Sequence, residues 1–529
     1  MKFIYVLEDD IRTQKEIFES IQSIDSKLAV RFFLNLAEFH EFLKLGMAEG
    51  PLALAKSGQR HELDLIEPVA GTPTDTLRLV IAKDEFMGTQ NMGLLRRLRE
   101  FLIRKQMCSA EEPTAAILTA FDSPEFDIKL AEEGIINNVI FKPFDKLILK
   151  QHLEFALAGR HPLENASTVA TMKLSSSIEM LKEVPFESLT EWGFRTVNNH
   201  EITIGKIAKY YDGLFETDSK RGLFATCISC KEINEKEFLC EFAFLGADLA
   251  QVQKIRRHIL QNKAHKQTPF TNAQGVPFHI LICEDEQTKA NDLKLILEEK
   301  FDHVKVEVYS SVAQLIVDLE DKETAHRREL PDSFDLVIAN LEIFHEDGEK
   351  KWEQLTKAFG DRSKRRVSTE KVPDLAVFTN QKQTAEQIRV LLGWCKEVFF
   401  FPWDRLYFVR KLLVQWTGLT PKAETLFSEL HEAGTLKVAN PVEITQISEG
   451  GLILKYYRGI TIGAFREFIL WRPDELVIPE IIGTCNFTEK DPTGEAFLNH
   501  FVFFGMKDHY LKHVRIWLLD AYIKQKEKG

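Results

Sequence analysis

No run of 18 apolar residues occurs anywhere in the chain, so no segment reads as a membrane-spanning helix and no membrane insertion is expected. A cysteine framework is also missing. The seven cysteines (Cys108, Cys227, Cys230, Cys240, Cys283, Cys395 and Cys485) are odd in number and scattered, which points to a reducing, cytoplasmic setting. Cys227-Ile228-Ser229-Cys230 has the spacing of a metal knuckle, with Cys240 further on. It lacks a fourth ligand, and thiols in alternating runs read as small buried hydrophobes. Positive charge is short: 68 Lys and Arg stand against 80 Asp and Glu, for a net charge of −12. With no basic stretch interleaved with aromatics, neither nucleic acid nor an anionic membrane surface is an expected partner. His509 and His513 share a helical face but have no Glu between them of the kind that completes a zinc motif. No glycine-rich phosphate loop, nucleophile elbow or paired-carboxylate constellation stands out, so the chain is expected not to be an enzyme.

What the sequence does have is Phe, 39 against 7 Trp and 9 Tyr, which favours several strand-containing cores over one polar surface. It also repeats itself. Lys2-Phe3-Ile4-Tyr5-Val6-Leu7-Glu8-Asp9-Asp10 matches Phe278-His279-Ile280-Leu281-Ile282-Cys283-Glu284-Asp285-Glu286. Leu79-Val80-Ile81-Ala82-Lys83 matches Leu336-Val337-Ile338-Ala339-Asn340, Ala116-Ile117-Leu118-Thr119 matches Ala376-Val377-Phe378-Thr379, and Phe141-Lys142-Pro143-Phe144-Asp145 matches Phe400-Phe401-Pro402-Trp403-Asp404. Each apolar run ends on a polar residue, as parallel strands do when they deliver side chains to a shared edge. Beyond these, Glu201-Ile202-Thr203 aligns with Glu443-Ile444-Thr445, Lys209-Tyr210-Tyr211-Asp212-Gly213 with Lys455-Tyr456-Tyr457-Arg458-Gly459, and Phe242-Ala243-Phe244-Leu245-Gly246 with Phe501-Val502-Phe503-Phe504-Gly505. A helix follows in both copies, with Arg256 and Arg515 at matching places.

The first part of each copy alternates strands with amphipathic helices such as Leu94 to Leu102, predicting a parallel sheet covered on both faces. The second part has strands separated by Gly, Asp and Pro turns and ends in one helix, predicting a small antiparallel barrel. The expected architecture is α/β plus β: a doubly wound domain over 1–160, a barrel over 165–262, a polar linker over 263–276, a second doubly wound domain over 277–420 and a second barrel over 422–529. Much of Gly50 to Asp75 reads as an extra loop in the first copy.

The strand ends of the first copy resemble those of a CheY-like response-regulator receiver. Such a domain needs acids to hold a divalent metal, an Asp to accept a phosphoryl group, a hydroxyl to follow it and a Lys to neutralise it. Glu8 and Asp9 match the acidic pair, which would hold magnesium; Thr119 matches the hydroxyl and Lys142-Pro143 the Lys-Pro pair. The acceptor position departs from the pattern, being Lys83 in the first copy and Asn340 in the second. Asp84 follows one residue later, where a strand turns its side chains to the other face unless a bulge re-aims it. Lys83 is expected to place an ammonium among Glu8 and Asp9, a locked pseudo-receiver. In the second copy Glu284, Asp285 and Thr379 persist, but Phe401 stands where the Lys should be, and Glu284 with Asp285 reads as a solvated strand end.

The second part of each copy resembles PilZ domains, which commonly bind cyclic di-GMP through an Arg-x-x-x-Arg segment and an Asp/Asn-x-Ser-x-x-Gly turn. Gln446-Ile447-Ser448-Glu449-Gly450-Gly451 matches the turn, making Gln446, Ser448 and Gly451 the nucleotide-binding candidates, without the arginine pair. A tight hairpin with positive φ explains the same residues. In the first copy five residues separate Thr203 from Lys209, against nine between Thr445 and Lys455, so the turn reads as lost there. The resemblance implies a bacterial signalling scaffold, non-catalytic and independent of phosphorylation. Its expected partners are other signalling proteins, or a second copy paired through receiver faces. The alternative is a regulator switched by phosphorylation at Asp84 or by cyclic di-GMP at the second barrel.

Overall fold

A computed structural model describes residues 2–39, 41–42, 76–86, 114–121, 136–158, 172–216, 222–262, 265–270, 277–320, 331, 333–344, 348–367, 371–381, 383–471 and 477–528. The loop expected over Gly50 to Asp75, the helical run Leu94 to Leu102 and Cys108 lie outside these residues. The chain divides into two compact units, one made of Met1–Leu181 with Asn440–Gly529 and the other of Lys182–Ala439.

The first unit opens with five parallel strands, Lys2–Leu7, Ala29–Phe33, Thr76–Lys83, Ala115–Phe121 and Asn138–Lys142. Their order across the sheet is second, first, third, fourth, fifth. That is the doubly wound order shared by flavodoxin and CheY, whose chain reversal places strand ends from both halves around one crevice. The strands read as unbroken apolar runs because both faces are covered. Ile4, Val6, Leu79 and Ile81 pack into one core, and Tyr5, Leu7, Val80 and Ala82 into the other. Asp10 starts the first helix, Ile11–Ile24, by accepting from the amides of Arg12 and Thr13, so the segment just past the acidic pair is pinned. The fifth strand leads into the helix Lys146–Ala158.

The same unit contains a closed antiparallel barrel. Gly434–Ile447 (from Asn440 on), Gly451–Tyr456, Phe497–Phe504, Val477–Lys490, Phe465–Trp471 and Met172–Phe186 (to Leu181) are neighbours in that order, and the last pairs back to the first. The helix Asp508–Lys528 follows, with Val514 and Trp517 in the barrel core beside Phe468, Phe501 and Phe503.

The second unit repeats both parts. Phe278–Cys283, Val304–Tyr309, Leu336–Asn340, Asp374–Thr379 and Glu397–Phe400 form a parallel sheet in the same second, first, third, fourth, fifth order. Its antiparallel part runs Ser188–Thr190, Gly193–Asn198, Glu237–Leu245, Leu223–Asn234, Ile207–Tyr211 and then residues 437–439. The closing helix Leu249–Gln261 starts on a reciprocal capping box between Asp248 and Gln251.

The first sheet shares a unit with the second barrel, and the first barrel with the second sheet, an arrangement that the sequence repeat leaves open. The leading strand of each barrel segment divides accordingly, because antiparallel pairing is decided by long-range partners: Met180 pairs with Phe468 in the first unit, and Val438 with Tyr210 in the second. The expected linker also contains a strand, His265–Pro269, paired with Leu426–Leu430. It is polar and half-exposed, so it carries no hydrophobic alternation by which to recognise it.

Candidate functional sites at the sheet edges and barrel turns

At the C-terminal edge of the first sheet, Glu8 is 1% exposed and is fully engaged by the protein. The Lys142 ammonium lies 2.6 Å from its Oε2, Thr119 Oγ1 donates to the same oxygen at 3.5 Å, and the Asp10 amide donates to Oε1. Lys83 does not reach Glu8. It sits 3.1 Å from Asp9 and 2.7 Å from Glu85, and the bond to Glu85 together with Asp9 holds its pKa above the ordinary lysine value. The hydrogen bond from Lys83 keeps Asp9 below the usual carboxylate range. Two ammonium groups thus divide the acidic pair between them. Glu8 and Asp9 as arranged do not fit a magnesium ion, because Glu8 Oε2 and Asp9 Oδ1 already face ammonium groups and Glu8 Oε1 takes a backbone amide.

No bulge re-aims Asp84. The third strand keeps an unbroken register with the fourth from Leu79 to Lys83, and Asp84 begins the short 3-10 turn Asp84–Phe86. Its Oδ1 is buried without a hydrogen-bond partner, and burial raises its pKa.

The second sheet edge has a different chemistry. Glu284 is buried, not solvated as expected, because Asn340 Nδ2 donates to both of its oxygens at 3.3 and 3.2 Å and the Glu286 amide donates to Oε1. Burial raises the Glu284 pKa, while its hydrogen bond to Asp285 lowers that of Asp285, the exposed member of the pair. Thr379 is not the counterpart of Thr119. Lys83 is registered with Thr119, whereas Asn340 is registered with Phe378, so Thr379 stands one residue further along. A one-residue step puts its hydroxyl on the opposite face, and it donates to Glu342 at 2.9 Å. Phe401 replaces Lys142 behind a cis X-Pro bond that both copies share, and Lys289 lies 5.4 Å above its ring while pairing with Glu286.

In the second barrel, Ser448 Oγ accepts from the amides of Gly450 and Gly451 and donates to the Gly451 carbonyl. Gln446, Ser448 and Gly451 are all buried. Neither Gly450 nor Gly451 has a positive φ, contrary to expectation. Gly450 is required by contact: a Cβ there would fall 2.2 to 2.4 Å from the Gln151 carboxamide, which covers the turn. Gln151 belongs to the helix after the first sheet.

The first barrel has kept this turn, so its reading as lost is corrected. Thr190-Glu191-Trp192-Gly193 occupies the place of Ser448-Glu449-Gly450-Gly451. Thr190 Oγ1 donates to the Gly193 carbonyl as Ser448 does to that of Gly451, and the Trp192 and Gly450 carbonyls accept from Phe244 and Phe503. The Lys-Tyr-Tyr alignment was out of register. The counterpart of Ile202-Thr203-Ile204-Gly205 is Ile460-Thr461-Ile462-Gly463, with Gly205 at φ 84° and Gly463 at φ 86°, whose amides donate to Cys227 and Cys485. That tetrapeptide is identical in the two copies and was the signal to use.

A third constellation was missed. In the first unit Arg515 binds Glu449 at 2.7 Å and Asp145 at 2.8 Å, tying the barrel turn to the Pro-x-Asp segment that follows the fifth strand. In the second unit Arg256 binds Glu191 at 2.6 Å and Asp404 at 2.7 Å, and Arg410 adds a bond to Glu191. Beside these, the Gly505 amide donates to Asn138 Oδ1 and Asn138 Nδ2 donates to the Phe503 carbonyl and to His152 Nδ1. At the equivalent place the Gly246 amide donates to Glu397, and Lys411 donates to the Phe244 carbonyl while pairing with Glu397 at 3.1 Å. The same backbone groups are met by an amide paired with an imidazole in one unit and by a carboxyl paired with an amine in the other. The shared Pro-x-Asp after each fifth strand and the matching Arg256 and Arg515 were visible beforehand.

No family model and no curated protein matches the chain. Among solved structures, it is similar to a CheY-like receiver domain protein from Methanospirillum hungatei JF-1, at 17% identity over 26% of this chain and 92% of that one, TM-score 0.19. It is similar to the non-phosphorylated HemR receiver domain from Leptospira biflexa at 23% identity, over 26% and 94%, TM-score 0.18. A response regulator from Thermotoga maritima matches at 11% identity, over 26% and 98%, TM-score 0.19. No described helix is long and apolar enough to cross a membrane.

Proposed function

We propose that this chain is a non-catalytic signalling scaffold whose two receiver-like sheets and two PilZ-like barrels present protein-binding surfaces without phosphorylation or cyclic di-GMP. The observation that carries this reading is the replacement of the phosphoryl acceptor by Lys83, held by Asp9 and Glu85, with Lys142 buried on Glu8. A phosphoryl group brings negative charge and a magnesium ion; this edge supplies its own cations and no carboxylate at the acceptor register. In the second sheet Asn340 fills that register and bonds Glu284, and Phe401 removes the lysine. The barrel turn supports the same reading. Its Ser448 hydroxyl is consumed by the turn, and Glu449 is committed to Arg515.

The test uses the full chain with acetyl phosphate and magnesium, and separately with beryllofluoride. The expected result is no acid-labile phosphate and no change in binding to partner proteins. Phosphate incorporation that disappears in Asp84→Ala would overturn the phosphorylation-independent reading. Calorimetry with cyclic di-GMP at micromolar sensitivity is expected to show no heat; a saturable heat lost in Ser448→Ala would establish the second barrel as a nucleotide sensor.

A further inference from the structure

The two barrels fix one loop in two different ways. In the second barrel the loop at Ile460 is held by oxygen and nitrogen groups: the Ile460 amide donates to Asn499 Oδ1 at 2.7 Å, and Thr488 Oγ1 donates to the Ile460 carbonyl at 2.9 Å. Thr488 and Asn499 are directly opposed on neighbouring antiparallel strands. In the first barrel the opposed residues are Cys230 and Cys240, and the loop at Ile202 is held by sulfur. The Ile202 amide donates to Cys230 Sγ at 3.4 Å, and Cys227 Sγ donates to the Ile202 carbonyl at 3.8 Å. Cys485 makes the same contact as Cys227 in the other barrel, at 3.5 Å, so Cys227 is the shared element. The Cys230–Cys240 pair is what this barrel has in addition.

Cys230 Sγ and Cys240 Sγ are 2.9 Å apart. Directly opposed residues of an antiparallel pair have Cα atoms about 4.5 or 5.5 Å apart, and both values fall within the ~4.4–6.8 Å range that a disulfide bridges without backbone movement. Cys240 is buried and Cys230 is partly exposed, so a small reagent reaches one thiol and leaves the other as its internal partner. The anchored loop leads into Ile204, Gly205 and Ile207, which line a cleft of about 950 Å³ within this unit together with Trp192 and Cys227.

We propose that Cys230 and Cys240 are an oxidisable dithiol site for hydroperoxides, and that its closure to a disulfide releases the loop at Ile202 from its sulfur anchor. The Cys230 sulfur attacks the terminal peroxide oxygen, the O–O bond breaks, and a sulfenic acid forms with release of water or an alcohol. The Cys240 sulfur then attacks the sulfenic sulfur, the S–S bond forms, and the hydroxyl leaves as water with the thiol proton. Both thiols are oxidised and one peroxide is reduced. The bond draws Cys230 Sγ toward Cys240 and away from the Ile202 amide. This goes beyond the scaffold reading and does not depend on it.

The full chain is treated with hydrogen peroxide, the remaining thiols are alkylated, and the digest is mapped by mass spectrometry without reduction. The expected product joins the Cys230 peptide to the Cys240 peptide and is reversed by dithiothreitol. Hydrogen exchange at Ile202–Gly205 is expected to speed up in the oxidised form. A Cys240→Ser chain is expected to stop at a sulfenic acid on Cys230, trapped by dimedone. The site is overturned if peroxide that oxidises free glutathione leaves both thiols alkylatable, or links Cys227 instead. A Cys230–Cys240 link with unchanged exchange at Ile202 would overturn its coupling to the loop. The unmodified chain supplies both readouts, so the outcome stands even where the variant fails to fold.

Discussion

The carboxamide of Gln151, on the helix that follows the first sheet, lies where a side chain at Gly450 of the second barrel would have to go. A Cβ on that glycine would stand 2.2 Å from Gln151 Nε2 and 2.4 Å from Oε1. This contact roofs the turn that holds Ser448, and at the corresponding turn of the other barrel Trp192 takes the place of Gly450.

Gly450→Ala therefore forces a buried Gln151 out of position, at a cost of about 1–3 kcal/mol, the usual range for overpacking. Gln151→Ala in the same chain should recover most of that loss. Urea denaturation of both single variants and the double variant closes the cycle, and strictly additive effects would mean the two residues do not meet.

Lys142→Met leaves Glu8 at 1% exposure without its ammonium. Removing one partner of a buried pair costs about 3–5 kcal/mol, because the remaining charge is left uncompensated. Adding Glu8→Gln should restore part of the stability. The denaturant midpoints of the two chains decide it, and a neutral Lys142→Met would show that Glu8 draws its compensation elsewhere.

His152 is fully buried and accepts from Asn138 Nδ2, and burial lowers its pKa from 6.5 to about 4. An unfolded chain protonates this histidine as the pH falls through 6.5, and the folded chain does so only near 4. Between those values unfolding takes up a proton, so stability present above pH 6.5 is lost on acidification, by on the order of 3 kcal/mol at full effect. His152→Gln should remove that component. Unfolding free energies measured across pH 4 to 7 give the answer as a difference between the two chains, and parallel curves would count against it.

Arg256 and Arg515 make the same kind of bridge at different depths. Glu191 is 4% exposed and Glu449 is 27% exposed. Arg515→Met should cost no more than about 1 kcal/mol and should lose its effect in high salt. Arg256→Met should cost about 2 kcal/mol, below the value for an orphaned buried charge because Arg410 stays on Glu191. Thermal melts at low and high ionic strength separate the two. Equal costs would show that burial of the carboxylate does not set the strength of the bridge.

Both parallel sheets were legible because their strands are buried on two faces and read as apolar runs ending in acids, as at Leu7-Glu8 and Cys283-Glu284. Lys83 at the end of the third strand was legible for the same reason. The register of Thr379 was not, since sequence spacing alone does not show a slip of one residue, while the strand period of two makes that slip decisive. The barrel turn at Thr190 was hidden because it shares only Glu191 and Gly193 with Glu449 and Gly451, while Lys209-Tyr210-Tyr211 resembles Lys455-Tyr456-Tyr457 without occupying the same strand. Nothing local could reveal which barrel accompanies which sheet. That choice rests on contacts such as Asn138 with Phe503 and Glu397 with Gly246, between residues far apart in the chain.

The unit Lys182–Ala439 is continuous, whereas the other is assembled from residues on either side of it. A ribosome delivers every residue of the continuous unit before it reaches Asn440. The first sheet emerges before that unit, yet Asn138 and Gln151 are covered only once the barrel strands after Asn440 have been made. A sheet that precedes the continuous unit in synthesis is thus completed only after it.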